Sequence, residues 1–438
     1  MDAEKSMVPD RGEKNLLEGS LRGRYLTADL PGIGGVIKER PEDFVVDELP
    51  LYSPCGEGEH TFFEIEKVGL PTFEAIRLIA RALGVPPNRI GYAGLKDARA
   101  VTRQVLSVHR VPPAIVMALE LPDAHADIRV LWAERHRSKL KIGHLLGNRF
   151  TIRIRGVDQP ALPLCQATLG VLARRGVPNY YGPQRFGQRG DSARLGRAVV
   201  QKDAKGFIRA FLGNPQAGEH RIVQEARARF DDDEWEGALR LLPGDRTNER
   251  RALQTLIRTQ GDYGRAFAAV PKRLKVFLLS AYQSALFNKV LDARLDTLDR
   301  VFLGDLATKH PGRSVFRVED EAAEQPRAEC FEISPSGPIF GYKMMEALGQ
   351  QGELESAVLA AEELVLEDFR VGGGLSAKGA RRAMRFQVQE PEVWYDDGVN
   401  LRFGLPKGCY ATTLLAEITK APLTTVGGGQ SVTEITEL

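Results

Sequence analysis

The sequence predicts a mixed α/β fold of the α+β kind, and three stretches carry that prediction. Residues 61–67, Thr-Phe-Phe-Glu-Ile-Glu-Lys, alternate well enough to form a half-buried strand. Residues 72–83 follow with Phe73, Ile76, Ile79, Ala80 and Leu83 on one apolar stripe at helical spacing, and Gly84 with Pro86 and Pro87 stops them. Leu401, Phe403 and Leu405 alternate again towards the other end, as a strand with one buried face does. A strand, a helix and then a loop rich in charge is the order typical of a mixed catalytic domain.

Taken in order, residues 31–48 open on a turn containing Gly32, Gly34 and Gly35. Two short β-prone pieces follow, around Val36–Ile37 and Phe44–Val46, divided by Pro41. By themselves they read as a hairpin with charges at its turn. Gly56 and Gly58 turn the chain into the 61–67 strand, and Thr72 is placed to cap the helix after it. Phe150, Ile152 and Ile154 alternate as a strand, and residues 176–187 are a loop rich in Gly, Pro and aromatic side chains. From about 190 to 300 the chain reads helical. Its longest piece, 274–295, carries Leu274, Phe277, Leu278, Ala281 and Ala285 at helical spacing. Short β and turn pieces fall at 304–306 and 334–339. A helix is expected over 352–369, with Glu362, Glu363 and Glu367 on a solvated face. A glycine-rich linker at 371–374, the 401–405 strand and a last helix over 414–418 complete the chain, and residues from 424 onward read as a loose tail.

A chain of 438 residues holds two to three domains, and 43% apolar with 27% charged residues is ordinary for a globular protein. Cys55, Cys165, Cys330 and Cys409 lie far apart with no CxxC spacing, which suits reduced thiols of a cytoplasmic protein. The seven histidines show no ligand spacing, so no metal site is expected. No run of 18 apolar residues predicts a membrane span, and the polar first twenty residues do not form a secretory signal. Net charge is only +2, so any nucleic-acid surface must come from local segregation of charge. Residues 135–155 supply it: Arg135, Arg137, Lys139, Lys141, Arg149, Arg153 and Arg155, with His136 and His144 and no acid. Phosphates are drawn to such a segment without sequence being read; a solvated basic face is the other reading of the same charges. Arg381, Arg382 and Arg385 form a second cluster with the same two readings.

The stretch with most chemistry is 91–104, Gly-Tyr-Ala-Gly-Leu-Lys-Asp-Ala-Arg-Ala-Val-Thr-Arg-Gln. Gly91 and Gly94 permit a sharp turn or a close backbone approach. Asp97 then stands between Lys96 and Arg99, and neighbouring cations favour the charged form of a carboxylate. That suits a nucleophile or a general base; a turn residue or a helix cap has the same local pattern.

This stretch resembles the active-site segment of the TruD family of pseudouridine synthases. Other segments agree in order along the chain: Lys38-x-x-Pro-Glu-Asp-Phe44, the Gly-Glu-His-Thr-Phe run ending at Phe62, Asn148-x-Phe150, Ala281-Tyr-Gln-Ser-x-x-Phe-Asn288, and Phe403-x-Leu-Pro-x-Gly-x-Tyr-Ala-Thr412. The resemblance covers roughly 36–418. It implies a pseudouridine synthase-like catalytic domain built from both chain ends around a mixed sheet. The parts would be an arm over 1–30, catalytic segments over 31–175 and 379–422, an inserted α/β domain over 176–378, and a tail over 423–438. It also implies isomerisation of uridine to pseudouridine in tRNA, at position 13 in bacterial members. No cofactor and no obligatory protein partner are implied, and a monomer is expected.

By the same resemblance Asp97 is the catalytic carboxylate and Lys38 its basic partner. Phe44 faces the target base, Phe150 packs in the site, Asn148 helps hold the loop and the substrate, and Phe403 lies nearby. Lys96 is counted with the substrate-binding residues. Arg135, Arg137, Lys139, Lys141 and Arg149 are expected at the RNA. Arg185, in the 176–187 loop, either lines the RNA cleft or pins a junction. The flipped uridine would meet Asp97 at its sugar, by attack at C1′ or by removal of the 2′ proton, and the family leans to elimination. Two rivals remain at this point: a non-catalytic RNA-binding protein, and a hydrolase using Asp97 with a metal.

Overall fold

The computed structural model describes residues 24–121, 127–312 and 314–421, so the expectations for the first twenty residues and for the tail lie outside them. The described chain falls into two compact units. One joins residues 25–179 to 385–421; the other is Tyr180–Met384 with Arg24.

The first unit contains β1 (Phe44–Pro50), β2 (His60–Val68), α1 (Thr72–Ala82), β3 (Ile90–Tyr92), β4 (Val101–His109), α2 (Pro113–Met117), β5 (Ile128–His136), β6 (Leu145–Ile154), α3 (Leu162–Arg175) and β7 (Val177–Pro178). The second holds seven helices in succession among its described residues: α4 (Ser192–Val200), α5 (Ala204–Leu212), α6 (Arg221–Asp231), α7 (Trp235–Leu241), α8 (Thr247–Arg258), α9 (Tyr263–Ala269) and α10 (Lys272–Ala293). It closes with β8 (Leu306–Lys309), β9 (Val315–Arg317), α11 (Glu321–Glu329), β10 (Ile333–Ile339), α12 (Gly349–Ala361) and β11 (Ala380–Ala383). The chain then returns to the first unit through β12 (Arg385–Phe386), β13 (Gln389–Tyr395), β14 (Val399–Pro406) and α13 (Ala411–Thr419).

Eight strands of the first unit make one sheet, ordered β13-β14-β6-β1-β4-β2-β5, with β3 beside β4. Every neighbour is antiparallel except β1 and β4, so the sheet is mixed. α1 lays Ala75, Ile76 and Ile79 on Phe63, Ile65 and Leu106; of the expected stripe Ile76, Ile79 and Ala80 are buried, while Phe73 and Leu83 at its ends are partly open. The second unit carries a four-stranded sheet, β11-β10-β8-β9. No helix among the described residues is long and apolar enough to cross a membrane.

Several local expectations fail for tertiary reasons. Residues 36–48 do not fold into a hairpin. Val36 makes one bridge with Arg155, residues 41–43 form a single 3-10 turn, and β1 takes its partners from β6 and β4. Thr72 does not cap α1; it is the first helical residue, behind Pro71, and its hydroxyl is used elsewhere. The helix expected to run to 369 ends at Ala361. Glu362 is buried, accepting from Tyr282 Oη at 2.8 Å and pairing with Lys289 and with Arg197 at 3.2 Å. Arg381 pairs with Glu355 at 2.8 Å, and Arg385 is buried and donates to the Arg175 carbonyl at 2.8 Å. Those two arginines are framework, not exposed cations.

The two ends of the first unit are clasped together. Glu417 of α13 accepts hydrogen bonds from Leu26 N at 2.8 Å, Thr27 N at 3.0 Å and Thr27 Oγ1 at 2.7 Å, while Lys420 Nζ donates to the carbonyls of Thr27 and Leu30. Glu417→Ala strands these buried donors, and should lower stability by about 1–3 kcal/mol, measured as a fall in the urea midpoint at constant m-value.

Candidate active site

The site begins where two strands part. β1 pairs in parallel with β4 only from Val45–Val101 to Asp47–Arg103. Further along, β4 is paired on its flank by β3, from Tyr92–Leu106 to Ile90–Val108. The chain crosses from β3 to β4 through residues 93–100, which contain Lys96 and Asp97.

Strand alternation sets the side chains on that face. Phe44, Val46 and Glu48 of β1 share a face with Phe150 and Asn148 of β6 and with Phe403 of β14, because Val46 is opposite Phe150, Glu48 opposite Asn148, and Phe403 opposite Phe150. Glu48 sits at the split. Its Oε1 accepts from Val105 N at 3.3 Å, a β4 amide with no partner on β1, and its Oε2 lies 2.7 Å from Lys96 Nζ. Lys96 Nζ also donates to Asn148 Oδ1 at 2.7 Å. This pair is nearly dry, with side-chain exposure of 4% for Lys96 and 1% for Glu48.

Backbone contacts hold the loop from beneath. Lys96 N donates to Thr72 Oγ1 at 2.9 Å, and that hydroxyl donates to Gln104 Oε1 at 3.0 Å. Lys67, fully buried on β2, donates to the Leu70 carbonyl and, at 3.2 Å, to the carbonyl of Asp97 itself. Burial pushes the Lys67 ammonium down to about 8. Of the two loop glycines only Gly91 is sterically required: a Cβ there would lie 2.4 Å from the Leu140 carbonyl, whereas one on Gly94 would meet nothing closer than 3.9 Å.

With Lys96 anchored inward, the Asp97 side chain turns outward and is 42% exposed, and its Oδ2 accepts from Lys38 Nζ at 2.7 Å. Lys38 also stands 4.1 Å from the Phe44 ring centroid. Its backbone is left-handed, φ +57°, a conformation costing a non-glycine residue about 1–2 kcal/mol. The neighbouring chain enforces it. Val36 and Arg155 exchange two backbone hydrogen bonds of 2.9 Å, and the Arg155 guanidinium grips Asp43 at 2.7–2.9 Å. Burial alone would raise the Asp43 carboxyl; the Arg155 guanidinium and the Arg40 amide reverse that and hold it low. The three phenylalanines pack on one another, Phe150 stacked on Phe403 at 5.6 Å and edge-on to Phe44 at 6.0 Å. Phe44, Phe150 and Phe403 are all buried, Phe150 the least.

Lys38, Phe44, Lys96, Asp97, Asn148, Phe150 and Phe403 thus gather on one face of one unit. Lys96 is placed differently from the substrate-facing expectation, because its charge is spent internally on Glu48 and Asn148. The basic segment is also less cationic in space than in sequence. Arg137 pairs with Glu57, Arg149 with Glu390, and Arg153 and Arg155 with Asp396 and Asp397. Arg135 donates to Gly58 O and Lys139 to Asn88 O. Lys141 has no such counter-group among the described residues and is exposed. Arg185 belongs to the other unit, where it donates to Ser280 and Ser284 of α10. Among the described residues no group of three or more His, Cys, Asp or Glu side chains is placed to hold a metal ion.

The family described as tRNA pseudouridine synthase D (TruD) matches residues 20–418. The chain belongs to the TruD family. A tRNA pseudouridine synthase D of Geobacter metallireducens is 50% identical over 398 residues, covering 91% of this chain and 98% of that one. That of Anaeromyxobacter dehalogenans is 40% identical and covers 90% and 96%. A crystal structure of a Methanosarcina mazei protein described as tRNA pseudouridine synthase D superposes with a TM-score of 0.83 at 29% identity, covering 92% of this chain and 97% of that one. The mixed sheet described above is therefore the fold of a TruD protein, and the family's reaction is the isomerisation of uridine to pseudouridine.

Two residues of this TruD site escaped the motif reading, Glu48 and Lys67. The signal was present in strand alternation: Glu48 falls on the face of Phe44 and Val46, and Lys67 on the face of Phe63 and Ile65.

Glu48→Ala leaves the Lys96 ammonium buried beside Asn148 alone, and should destabilise the fold by about 3–5 kcal/mol in chemical denaturation. Lys67 gives a pH signature. Below pH 8 it is protonated whether folded or not. Between about 8 and its ordinary 10.5 the unfolded chain keeps a proton that the folded chain has released. Stability from this group therefore rises with pH in that window, by up to about 1.4 kcal/mol per pH unit. Lys67→Met, compared with wild type by denaturation at several pH values, should lack that rise.

Proposed function

We propose that this chain isomerises a uridine of tRNA, at position 13, to pseudouridine, with Asp97 as the catalytic carboxylate. The observation that carries the reading is Asp97 itself: it lies in the Gly-Leu-Lys-Asp segment shared with the TruD family, its backbone is clamped, and its side chain is half open with Lys38 at 2.7 Å. A uridine inside a stack cannot reach such a group, so it is flipped out. The carboxylate then acts at the sugar, by attack at C1′ or by removal of the 2′ proton. The C1′–N1 bond breaks, the uracil turns, and C1′ bonds to C5. C5 gives up its proton and N1 gains one. Atoms and electrons balance within the nucleotide, so the reaction calls for no co-substrate.

Lys38 orients the carboxylate and offsets its charge. Phe44 and Phe150 supply aromatic surface beside the base, and Phe403 backs Phe150 from behind. Asn148 holds the loop through Lys96. The exposed Arg135, Arg137, Lys141 and Arg149 and the partly open Lys139 meet the RNA backbone, with Lys141 the least compensated. Arg185 belongs to the framework of Tyr180–Met384, the unit assigned here to the family's inserted domain.

The test is pseudouridine formation in tRNA by purified protein with EDTA present. Wild type should form product at an unchanged rate with chelator, Asp97→Asn should form none, and Lys38→Ala should lose about 10²–10³-fold in rate. Undiminished activity of Asp97→Asn would remove that residue from the reaction. Tight binding without product would leave an RNA-binding protein.

A further inference from the structure

Leu95 is two residues before Asp97 and, although a large apolar side chain, is 40% exposed. The loop explains why. Lys96 is drawn inward by Glu48 and Asn148, so the residues on either side of it, Leu95 and Asp97, both reach solvent. Leu95 is not alone. Ile142 and Leu146 are 65% and 57% exposed, and Tyr410 is 42% exposed. The segments bearing them are tied to the loop and to each other: Gly143 N donates to the Ala93 carbonyl at 2.8 Å, Lys407 N to the Leu146 carbonyl at 3.0 Å, and Lys407 Nζ to the Gly143 carbonyl at 3.0 Å. Leu146 stands at the start of β6, where the pairing with β1 slips by one residue between Gly147 and Leu145, and its side chain is left exposed there. Exposed apolar side chains thus stand on the loop of Asp97 and on the segments hydrogen-bonded to it, and those segments also carry Lys141 and Lys407.

Exposed apolar side chains grouped on linked segments mark a binding surface, and the place of Leu95 on the loop that carries Asp97 argues for what covers it. Flipping a nucleotide leaves its neighbours without a stacking partner on one side. Apolar side chains inserted at a base step compensate for such a loss, and single-stranded RNA is held by apolar and aromatic surface flanked by cations. We propose that Leu95 is a wedge which enters the gap left by the flipped uridine, and that Ile142, Leu146 and Tyr410 receive the bases beside it. This rests on the reading of the chain as a tRNA pseudouridine synthase.

The experiment compares wild type with Leu95→Ala, Leu95→Met and Leu95→Asp in single-turnover pseudouridine formation on tRNA. A second tRNA, with 2-aminopurine next to the target uridine, is bound to Asp97→Asn with and without Leu95→Ala. Because Leu95 is exposed, thermal melting of the variants should match wild type. Leu95→Ala should lower the maximal rate about tenfold or more, corresponding to part of the unstacking cost, with substrate affinity within threefold. Leu95→Met should restore the rate and Leu95→Asp should not. The 2-aminopurine fluorescence change on binding should shrink when Leu95 is removed. An undiminished rate for Leu95→Ala, or Leu95→Met as slow as Leu95→Ala, overturns the wedge, as does an unaltered fluorescence change. Absence of product with wild type would instead remove the synthase reading beneath it.

Discussion

Lys96 carries an ammonium group into the seam where β1 and β4 separate, and the rest of the site depends on its being held there. The seam would otherwise leave the Val105 amide unpaired and a gap beneath the loop. The Glu48 carboxylate meets the amide with one oxygen and Lys96 with the other, and Asn148 takes a further Nζ proton. Bringing two charges out of water costs several kcal/mol per ion, and that cost is recovered only with good geometry and additional hydrogen bonds. The arrangement therefore tolerates few positions of the chain. It fixes which way each side chain of the loop points, inward for Lys96 and outward for its two neighbours.

The second constraint works on the other side of Asp97. A lysine in left-handed backbone is unfavourable, yet Lys38 is kept so by the Val36–Arg155 bridge and the Asp43–Arg155 ion pair. Two independently braced pieces of backbone thus meet through one charged hydrogen bond. Neither partner depends on the other for its position, so the bond can be exchanged for contacts with a substrate without the frame collapsing.

How much of this was legible in the sequence follows from the range over which each feature is decided. The helix at 72–82 and the strands at 60–68 and 399–406 are set by local periodicity and were readable as such. The gathering of Lys38, Asp97, Asn148 and Phe403 was legible through the order of family motifs, since no spacing rule relates residues so far apart. What local reading missed was decided by partners remote in sequence. Thr72 looked like a cap because it precedes an apolar stripe, but its hydroxyl is claimed by Lys96 N and Gln104. The acids near 362 looked solvated, but Tyr282, Lys289 and Arg197 surround Glu362. The basic run at 135–155 contains no acid along the chain, while Glu57, Glu390, Asp396 and Asp397 reach it from segments remote in sequence.

The position of β14 in the sheet bears on how the protein is made. This strand lies between β6 and β13, and it brings Phe403 against Phe150. Its residues follow the whole Tyr180–Met384 unit in the chain. During synthesis β1 to β6 emerge first, and β6 then offers a bare edge until the second unit has been translated. An open edge of that kind is a template for mispairing. The nascent chain must hold a half-built sheet face through that interval, and Phe150 gains its stacked partner Phe403 only when β14 docks, after the whole intervening unit has been made.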